Sequence, residues 1–591
     1  MTPTFYYSAK LNWRPLKLSY TFILVSFLLI GFQLCNYSTL SAAIKIWPAP
    51  KGSPISKFYE IRVKQGSGTW KKVPVYDFFN RKEYSTACGM KKTTDTHFGS
   101  FESSGDIKVE IRVIGTTVNN YRIRPTNDNI KGTRNGNKIT FTMRDKARQL
   151  ILEVNGNRTR PLAIFSNPPE VNPPTKGTSS IRYFGPGYHK LSGDLTKENS
   201  GAIYIAGGAI VEGHINYRRA NNIKVYGRGI LFNSNDISRG PALKIGDGKG
   251  VEVAGITIVN EQDDWGFWLI NASDALVKNV KVLSEVRDGI DIINSNDLRI
   301  QDCAVLSIDD CLALKGTIWG DGRAIEDVEI YNCVLGKLGQ GHPYRFGGES
   351  KAPYMRRIKS QYVDIVYNNG CGGVMMVKPT NAITGSEKVA VIREITLENQ
   401  RIEGSSGDLI TIYSHSILNK DLNKFVFKNI KIIADANVNA GRLHGVSSSY
   451  VRDVSFINVN DKGTVWTSAS QAKLNTNNFV TGVKFSKGNS RLMAAGTDES
   501  VASTSPIAPV INELPKGVQV YPNPTQDILK IANTTAETYQ ITLHDHTGNK
   551  VSALQQVGEE TQLQLESLPA GIYILRLTGE IDSYVYKILK Q

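Results

Sequence analysis

The chain has 591 residues, a formal net charge of +16 and six cysteines. This length predicts several domains, and so few cysteines in a chain of this size exclude a small disulfide-rich scaffold. The positive charge either attracts an acidic polysaccharide or an anionic cell surface, or simply keeps the protein soluble. Nucleic acid is not expected as a partner, because the sequence has neither a basic helical motif nor a zinc-ligand spacing.

Residues 1–43 have the layout of a secretory signal peptide. Lys10, Arg14 and Lys17 precede an apolar run over residues 20–35, and small residues follow at 41–43. We predict cleavage near residue 43, with an uncleaved membrane anchor as the alternative. No later stretch is apolar enough to cross a bilayer, so no span is expected after signal removal.

Residues 44–175 are predicted to form an N-terminal β-sandwich. The segments 58–63, 107–113 and 139–143 each alternate apolar with polar residues, and Gly, Asn and Ser turns separate them. Several short alternating strands of this kind are typical of a sandwich. A proline-rich stretch over residues 168–174 predicts a stiff exit from this domain.

Residues 180–485 are predicted to form a right-handed parallel β-helix. Short β-branched runs recur with Asn and Gly between them, at a period in the range of about 20–50 residues that indicates a solenoid. The markers of successive repeats are Ile223, Val251, Leu276, Leu298, Val328, Ile358, Ile395, Phe425 and Val454. Cys303 and Cys333 occupy equivalent repeat positions, which predicts stacked interior neighbours, either a buried thiol ladder or a disulfide.

The C-terminal part reads as a linker followed by a small all-β module. Residues 486–515 are rich in Ser, Thr, Ala and Pro, and residues 516–591 predict an Ig-like sandwich. The module contains Tyr-Pro-Asn-Pro at 521–524, Leu-Pro-Ala-Gly-Ile-Tyr at 568–573, and a lysine next to the end. It resembles the C-terminal sorting domain of the Bacteroidetes type IX secretion system. The resemblance implies passage across the outer membrane by that machinery, so we expect a secreted or cell-surface protein; an ancillary binding module is the alternative.

Four acids carry the chemistry of the β-helix. Asp263, Asp288 and Asp310 each lie twelve residues after a repeat marker, with Asp309 beside the last. Equal offsets predict one vertical line of carboxylates along the coil. Aligned carboxylates repel one another, which raises at least one pKa and supplies a protonated acid beside an ionised base, as glycoside hydrolysis requires. Structural corner caps are the alternative reading of these acids.

The motifs around these acids resemble the β-helical inverting glycosidases of families 28 (polygalacturonases) and 49 (dextranases and isopullulanase). The segments are Asp-Gly-Ile-Asp-Ile at 288–292, Asp-Asp-Cys-Leu-Ala-Leu-Lys at 309–315 and Gly-Gln-Gly-His at 339–342. The resemblance implies that Asp309 is the general acid, that Asp288 and Asp310 hold and deprotonate water, and that His342 orients or tunes the acid. An endo-acting hydrolase follows as an expectation.

Departures from family 28 favour a neutral α-glucan. The later Arg-Ile-Lys of that family is replaced by Met376-Val377-Lys378, which keeps the lysine but loses the arginine suited to a uronic carboxylate. The N-terminal sandwich is similar to the layout of family 49, whereas the basic charge keeps an acidic or sulfated glycan open. The candidates for sugar contacts are Lys378, Asp263, Arg345, Glu349 and, for stacking, Trp265, Trp268, Trp319, Tyr344 and Tyr354.

Two rival functions fit the same fold. A polysaccharide lyase would use a basic residue and often calcium, which Asp309 and Asp310 could ligate, but no further cluster of oxygen ligands accompanies them. A non-catalytic surface adhesin suits the solenoid and the charge but not the ordered acid set. No phosphate loop, zinc spacing or Ser-His-Asp order is present, so we expect a monomer without metal or cofactor.

Overall fold

The structure is a computed structural model. The residues it describes are 44–79, 84–85, 91–92, 95–126, 129–143, 148–191, 195–198, 201–219, 221–316, 321–348, 353–368, 372–379, 390–433, 435–488, 514, 517–534, 539–545, 550–555, 560–578 and 583–591. The predicted signal peptide and nearly all of the predicted linker lie outside them. No helix in the described parts of the chain has the length and hydropathy that a membrane crossing requires.

The N-terminal region forms two five-stranded sheets that face each other across an apolar core. In spatial order, the first contains Lys71–Val73, Tyr59–Lys64, Ile107–Val113, Lys138–Met143 and Gly132–Asn135. The second contains Val75–Tyr76, His97–Glu102, Asn157–Asn167, Arg148–Val154 and Tyr121–Arg124. A further hairpin pairs Tyr84–Ser85 with Lys91–Lys92. Alternate residues of Ile107–Val113 are buried, so the period-two pattern in the sequence marks the inward face of this sandwich.

The next region is a β-helix whose described strands form three long parallel sheets, here called A, B and C. Sheet A contains Ile181–Phe184, Gly201–Ile205, Ile223–Gly227, Lys249–Ala254, Ser273–Lys278, Asn296–Gln301, Ile325–Tyr331, Tyr354–Gln361, Val391–Glu398, Leu422–Lys428, Val451–Ile457, Val480–Thr481 and Lys484–Ser486. Sheet B contains Gly187–Lys190, Ala209–Glu212, Ile230–Asn233, Thr257–Asn260, Lys281–Ser284, Ala304–Ser307, Val334–Lys337, Asp364–Asn368, Arg401–Ile402, Lys431–Ile432, Asn460–Asp461 and Thr464–Val465, the last paired antiparallel. Sheet C contains Leu195–Glu198, Ile215–Arg218, Leu243–Gly246, Phe267–Ile270, Ile290–Ile293, Leu312–Lys315, Tyr344–Gly347, Met375–Lys378, Ser406–Tyr413, Asn437–His444 and Leu474–Thr476. The predicted all-β fold with a parallel β-helix is confirmed.

The interior of the coil consists of stacked apolar columns, to which all three sheets contribute inward residues on each coil. Val251 pairs with Ala275, Ala275 with Leu298, and Leu298 with Val328, all of them buried. The sequence marker Leu276 is therefore wrong by one residue, because Leu276 faces outward and Ala275 occupies the inward position. Cys303 and Cys333 lie inside the coil as buried free thiols, which confirms the thiol-ladder interpretation over a disulfide.

The sandwich covers the outer face of sheet B. Strands of this sheet such as Thr257–Asn260 and Lys281–Ser284 are buried on both faces, so their outward apolar residues need a cover. Phe78 of the sandwich supplies part of it, with its ring centroid 4.5 Å from that of Phe232 in sheet B. The sandwich and the coil share one apolar cluster and together form one compact unit.

A C-terminal module forms a second compact unit of the chain. Its first sheet contains Val518–Tyr521, Ile528–Asn533 and Glu560–Gln564. Its second sheet contains Lys550–Gln555, Gln540–Asp545, Gly571–Thr578 and Ser583–Lys590. Leu529, Leu543 and Leu575 are among the fully buried residues of its core. These antiparallel sheets confirm the predicted small β-module.

A buried ion cluster fastens the sandwich to the coil. Arg124 of the sandwich is fully buried and donates hydrogen bonds to Glu153 at 2.9 Å, to Glu403 at 2.9 Å and to Asp435 at 2.7 Å. Glu403 and Asp435 belong to the β-helix, so one guanidinium neutralises acids from both regions. Removing this cation would take the shared counter-charge from two buried carboxylates, Glu153 and Glu403, which is the costly way to break a buried ion pair.

We expect Arg124→Met to lower the free energy of unfolding by about 3–5 kcal/mol, because the buried acids lose their counter-charge. Urea unfolding followed by circular dichroism measures this loss. The matched control is Arg122→Met on the same strand. Arg122 also pairs with Asp435 but is 44% exposed, so its loss should cost at most about 1 kcal/mol. Equal effects of the two substitutions would contradict the fastening role of Arg124.

Candidate active site

Four side chains from consecutive coils form a column in the turn between sheets B and C. Trp265, Asp288, Asp310 and His342 each lie two residues before a strand of sheet C, at Phe267, Ile290, Leu312 and Tyr344 respectively. Each of these four strand residues pairs with the next one across sheet C, so the residues two positions before them are also aligned. Backbone hydrogen bonds continue through this turn, for example from Gly289 N–H to the carbonyl of Asp310 at 2.8 Å.

Asp263 lies outside this column, contrary to the sequence prediction. It precedes its sheet C strand by four residues rather than two, because the chain from Val251 to Phe267 is two residues longer than the chain from Leu298 to Leu312. Trp265 takes the column position instead. Asp263 lies at the rim with 54% of its side chain exposed, and Arg287 donates a hydrogen bond to it at 2.5 Å.

The three acids Asp288, Asp309 and Asp310 converge. Each offers a carboxylate oxygen that lies within 4.8 Å of the other two. Asp309 follows Ile308 at the end of the sheet B side of the turn and stands beside the column. The predicted meeting of these three acids from two coils is therefore observed.

Asp309 is held as a carboxyl with a high proton affinity. Burial, followed by repulsion from Asp288 and Asp310, raises its pKa to about 7. Gln340 donates a hydrogen bond to Asp309 Oδ2 at 2.7 Å and fixes its orientation. Gly341 lets this contact form: it has a φ of +78°, and a Cβ there would lie 2.4 Å from Asp309 Oδ1.

Asp310 is held in the opposite charge state. Burial raises its pKa, but the hydrogen bond and charge of His342, with help from Arg345 and Lys315, outweigh burial and lower it. The backbone N–H of His342 donates a hydrogen bond to Asp310 Oδ1 at 2.7 Å, and the ring atom His342 Nδ1 lies 3.2 Å from the same oxygen. His342 thus acts on Asp310, whereas the sequence resemblance implied an effect on the general acid.

Asp288 is buried between a backbone donor and a lysine. Its Oδ1 accepts the N–H of Asp310 at 3.1 Å, and its Oδ2 forms an ion pair with Lys315. The same ammonium pairs with Asp291 at 2.9 Å. Asp291 and Lys315 lie inside the sequence motifs, but the family resemblance implies no role for either. Strand alternation could have placed Lys315 near the acids. Leu312 and Leu314 face inward, so Lys315 faces outward, on the side where the acids lie.

The acids open onto a cleft of about 700 Å³. One wall is aromatic, with the ring centroids of Trp265 and Trp268 4.4 Å apart and their planes inclined at 42°. The other residues that line the cleft are charged or polar or are glycines: Arg239, Asp263, Asp264, Arg287, Asp288, Asp309, Asp310, Lys315, Gln340, Gly341, His342, Arg345, Gly347, Gly348 and Gly372. An aromatic wall beside carboxylates suits a sugar ring, which presents an apolar face and hydroxyl edges.

Two predicted sugar contacts do not reach this cleft. Tyr344 is fully buried inside the coil and hydrogen-bonds Ser360 at 2.7 Å and Gln400 at 2.9 Å, so the prediction that it contacts sugar is wrong. It is the first residue of its strand, and strand parity turns it inward. Tyr354 begins a strand of sheet A, where Arg356 lies over its ring at 5.2 Å.

The remaining predicted contacts have separate outcomes. Lys378 ends a sheet C strand and is the register partner of Gly347, which lines the cleft, so its role stays a prediction. Trp319 and Glu349 lie outside the described residues. Asp288, Asp309 and Asp310 have the spacing of a cation site, but the ammonium of Lys315 already supplies positive charge there.

Comparison with known proteins gives a family match for the C-terminal module alone. Residues 519–591 match the model described as the secretion system C-terminal sorting domain. This match confirms the predicted sorting domain and its secretion machinery as a partner, and it indicates a secreted or cell-surface protein of a Bacteroidetes-type bacterium. No curated protein matches the chain.

Several solved structures are similar to the chain at low identity. Dex49A from Penicillium minioluteum is 14% identical, with 74% of this chain and 96% of that chain covered and a TM-score of 0.47. The family 28 exopolygalacturonase of Yersinia enterocolitica is 12% identical, with 64% and 96% covered and a TM-score of 0.26. The α-1,3-glucanase of Streptomyces thermodiastaticus is 10% identical, with 76% and 87% covered and a TM-score of 0.34.

The raised pKa of Asp309 predicts a pH-dependent gain in stability when its charge is removed. The folded protein holds this proton up to about pH 7, whereas the unfolded chain releases it near the ordinary value of 3.8, so stability falls as pH rises between them. Asp309→Asn should therefore raise the free energy of unfolding at pH 8 by up to about 4 kcal/mol, and by almost nothing at pH 4.

Thermal unfolding at the two pH values measures this difference. Asp263→Asn is the control, because this rim acid is half exposed and paired with Arg287, so its loss should not stabilise the protein at pH 8. A melting temperature of Asp309→Asn that stays at or below that of the wild type at pH 8 would contradict the buried, repelled state of Asp309.

Proposed function

We propose that this protein is a secreted, endo-acting glycoside hydrolase that cleaves a polysaccharide in the cleft around Asp288, Asp309 and Asp310. One observation carries the proposal. Three carboxyls from two coils meet within 4.8 Å of one another, and their surroundings raise the pKa of Asp309 while they lower that of Asp310. Two carboxyls whose pKa values are shifted in opposite directions can serve as the acid and the base that glycoside hydrolysis needs.

Asp309 is the proposed general acid. With a pKa of about 7 it keeps its proton through the acidic and near-neutral range, and its carboxyl lies beside the cleft. As the glycosidic C–O bond breaks, Asp309 gives its proton to the leaving oxygen, so that the departing sugar leaves as a neutral alcohol. Gln340 holds the carboxyl in place throughout this step.

Asp288 and Asp310 are the proposed base pair for water. The water oxygen forms the new bond to the anomeric carbon, and one of the two carboxylates accepts its proton. Both oxygens of Asp288 are engaged, by the Asp310 N–H and by Lys315, which weakens Asp288 as a direct nucleophile toward carbon. This arrangement favours direct attack by water and therefore inversion at the anomeric centre.

The spacing of the acids and their hydrogen bonds point to different stereochemical outcomes. Their nearest oxygens lie within 4.8 Å. Inverting pairs are usually about 6.5–9.5 Å apart and retaining pairs about 5–5.5 Å apart, so distance alone favours retention. We give greater weight to the engaged oxygens of Asp288 and to the second carboxylate beside it, which together can hold a water.

A neutral α-glucan such as dextran is the proposed substrate class. The aromatic wall of Trp265 and Trp268 suits neutral sugar faces, and Met376 stands where an arginine would meet a uronic carboxylate. A second candidate is an acidic or sulfated glycan, because Arg239, Arg287 and Arg345 line the cleft. Two of these arginines already face Asp263, which offsets their charge and keeps the neutral glucan first.

Incubation with dextran, pullulan, polygalacturonate and carrageenans tests the reaction and its substrate. We expect new reducing ends from dextran, a rapid fall in viscosity from internal cleavage, and no product absorbing in the near ultraviolet. Preference for polygalacturonate or carrageenan would move the proposal to the second candidate. An unsaturated product would identify a lyase, and binding without new reducing ends would identify an adhesin; either result would overturn the hydrolase proposal.

Asp309→Asn tests the assigned acid. Loss of a general acid should lower kcat by about 10²–10⁴-fold, and in the wild type kcat/KM should fall above pH 7 as Asp309 loses its proton. Reducing-end kinetics measure both effects, and NMR of the first anomer formed should show inverted configuration.

The matched control is Asp327→Asn on sheet A. Asp327 pairs with Arg357 and has a φ of +58°, which Asn tolerates, so this variant should keep wild-type turnover. Near-normal turnover by a folded Asp309→Asn protein would refute the assignment of the acid. A retained configuration would refute direct attack by water.

A further inference from the structure

We propose that Lys315 is a positioning residue that joins Asp288, one of the two carboxylates assigned to water, and the aromatic wall at Trp265 into one fixed unit. The inference rests on the proposed hydrolase function. Lys315 ends the sheet C strand Leu312–Lys315, and its side chain extends back along the outer face of the sheet to the acids. It would act through Asp288 rather than by touching the bond that breaks.

The contacts of the ammonium explain why a lysine fits here. Its Nζ pairs with Asp288 Oδ2, pairs with Asp291 Oδ1 at 2.9 Å, and lies 4.4 Å from the ring centroid of Trp265. An ammonium has three donors that point in three directions, which matches two carboxylates and one π face. Lys315 is only 7% exposed, so these contacts form away from bulk water and are electrostatically stronger than they would be in water.

These contacts fix both ends of the reacting geometry. Asp288 cannot rotate without losing the Lys315 ion pair at one oxygen and the Asp310 N–H at the other. Trp265 contacts both the Lys315 ammonium and the ring of Trp268. A sugar ring stacked on this wall would therefore meet the base at a set height, because the same ammonium fixes the wall and the base.

Lys315 also decides where negative charge resides. Charged groups face it from its own coil and from both neighbours: Asp288, Asp291, Arg287, Asp309, Asp310, His342 and Arg345. Burial raises the pKa of Asp288 and of Asp291, and Lys315 is the largest opposing influence on each. Burial lowers the pKa of Lys315, but attraction by Asp288 and Asp291 outweighs it and raises that pKa well above its usual range.

The cluster therefore depends on this cation for its division of roles. Without Lys315, Asp288 would stay buried beside Asp310 but would lose its ion-pair partner, and it would take up a proton at a higher pH. A protonated Asp288 could not accept a proton from water. Asp309 could still act as the acid, so the reaction would keep its acid and lose one of the two carboxylates that hold and deprotonate water.

The decisive comparison is Asp291→Asn against the double variant Lys315→Met, Asp291→Asn. The two proteins differ only at Lys315, and the double variant removes one buried cation together with one buried acid, which protects folding. In Asp291→Asn, Lys315 has Asp288 as its one remaining ion-pair partner of the two. The pKa of Asp288 should therefore fall, and the acidic limb of the kcat/KM profile should move to lower pH. In the double variant we expect that limb about one to three pH units higher than in Asp291→Asn.

Steady-state kinetics separate positioning from simple stability. We expect kcat of the double variant to fall about 10²-fold relative to Asp291→Asn, the scale of a misplaced or missing base, while KM changes little. A merely structural role would lower the melting temperature and leave the acidic limb in place. Coincident acidic limbs in the two variants would overturn the proposal.

A readout without turnover keeps this inference distinct from the proposed function. Carboxyl ¹³C NMR of protein labelled at aspartate Cγ, with Asp288→Asn to assign the signal, follows the titration of Asp288 directly. We expect the Asp288 signal to titrate at higher pH in the double variant than in Asp291→Asn. If no glycan is cleaved by the wild type, the hydrolase proposal fails, yet this titration still decides whether Lys315 sets the charge of Asp288; an unmoved signal would exclude it.

Discussion

The register between consecutive coils is the constraint on which the site depends. Parallel strands stack about 4.8 Å apart, and each pairs residue for residue with the strand of the next coil. Residues at the same distance before paired strands therefore meet, however far apart they lie in sequence. Trp265, Asp288, Asp310 and His342 meet by this rule alone. The fold needs no special loop to assemble the cluster, because the hydrogen-bond ladder of sheet C already sets its spacing.

Because the acids are stacked so closely, their pKa values differ from one another. Three carboxyls in a partly dry site cannot all be ionised, so each takes the charge state that its neighbours allow. Asp309 has a glutamine and two like charges beside it and keeps its proton, whereas Asp310 has His342 and gives its proton up. Lys315 offsets the charge of Asp288. The difference between the acids thus comes from what touches each of them rather than from their residue type.

The sandwich has a part in this arrangement although it lies on another face of the coil. Sheet B has buried apolar residues on its outer face as well as inside, and the sandwich covers that outer face with Phe78 and its neighbours. Arg124 then fixes the two regions together through acids of both. The covered strand Ala304–Ser307 leads directly into Asp309 and Asp310. Rigid packing on one side of the coil therefore supports the turn that carries the acids.

The sequence by itself determined the repeat, the sorting module, and the convergence of Asp288, Asp309 and Asp310, because period and motif order are local properties of a chain. Only the tertiary structure decided which way each side chain points, since a shift of one residue in a strand exchanges its two faces. Tyr344 was expected in the cleft and lies in the core for that reason. Asp263 lies outside the column because the chain between Val251 and Phe267 is longer than the chain between Leu298 and Leu312. The partnership of Lys315 with Asp288 was equally hidden, because it joins residues on different coils through space and depends on how far one side chain reaches.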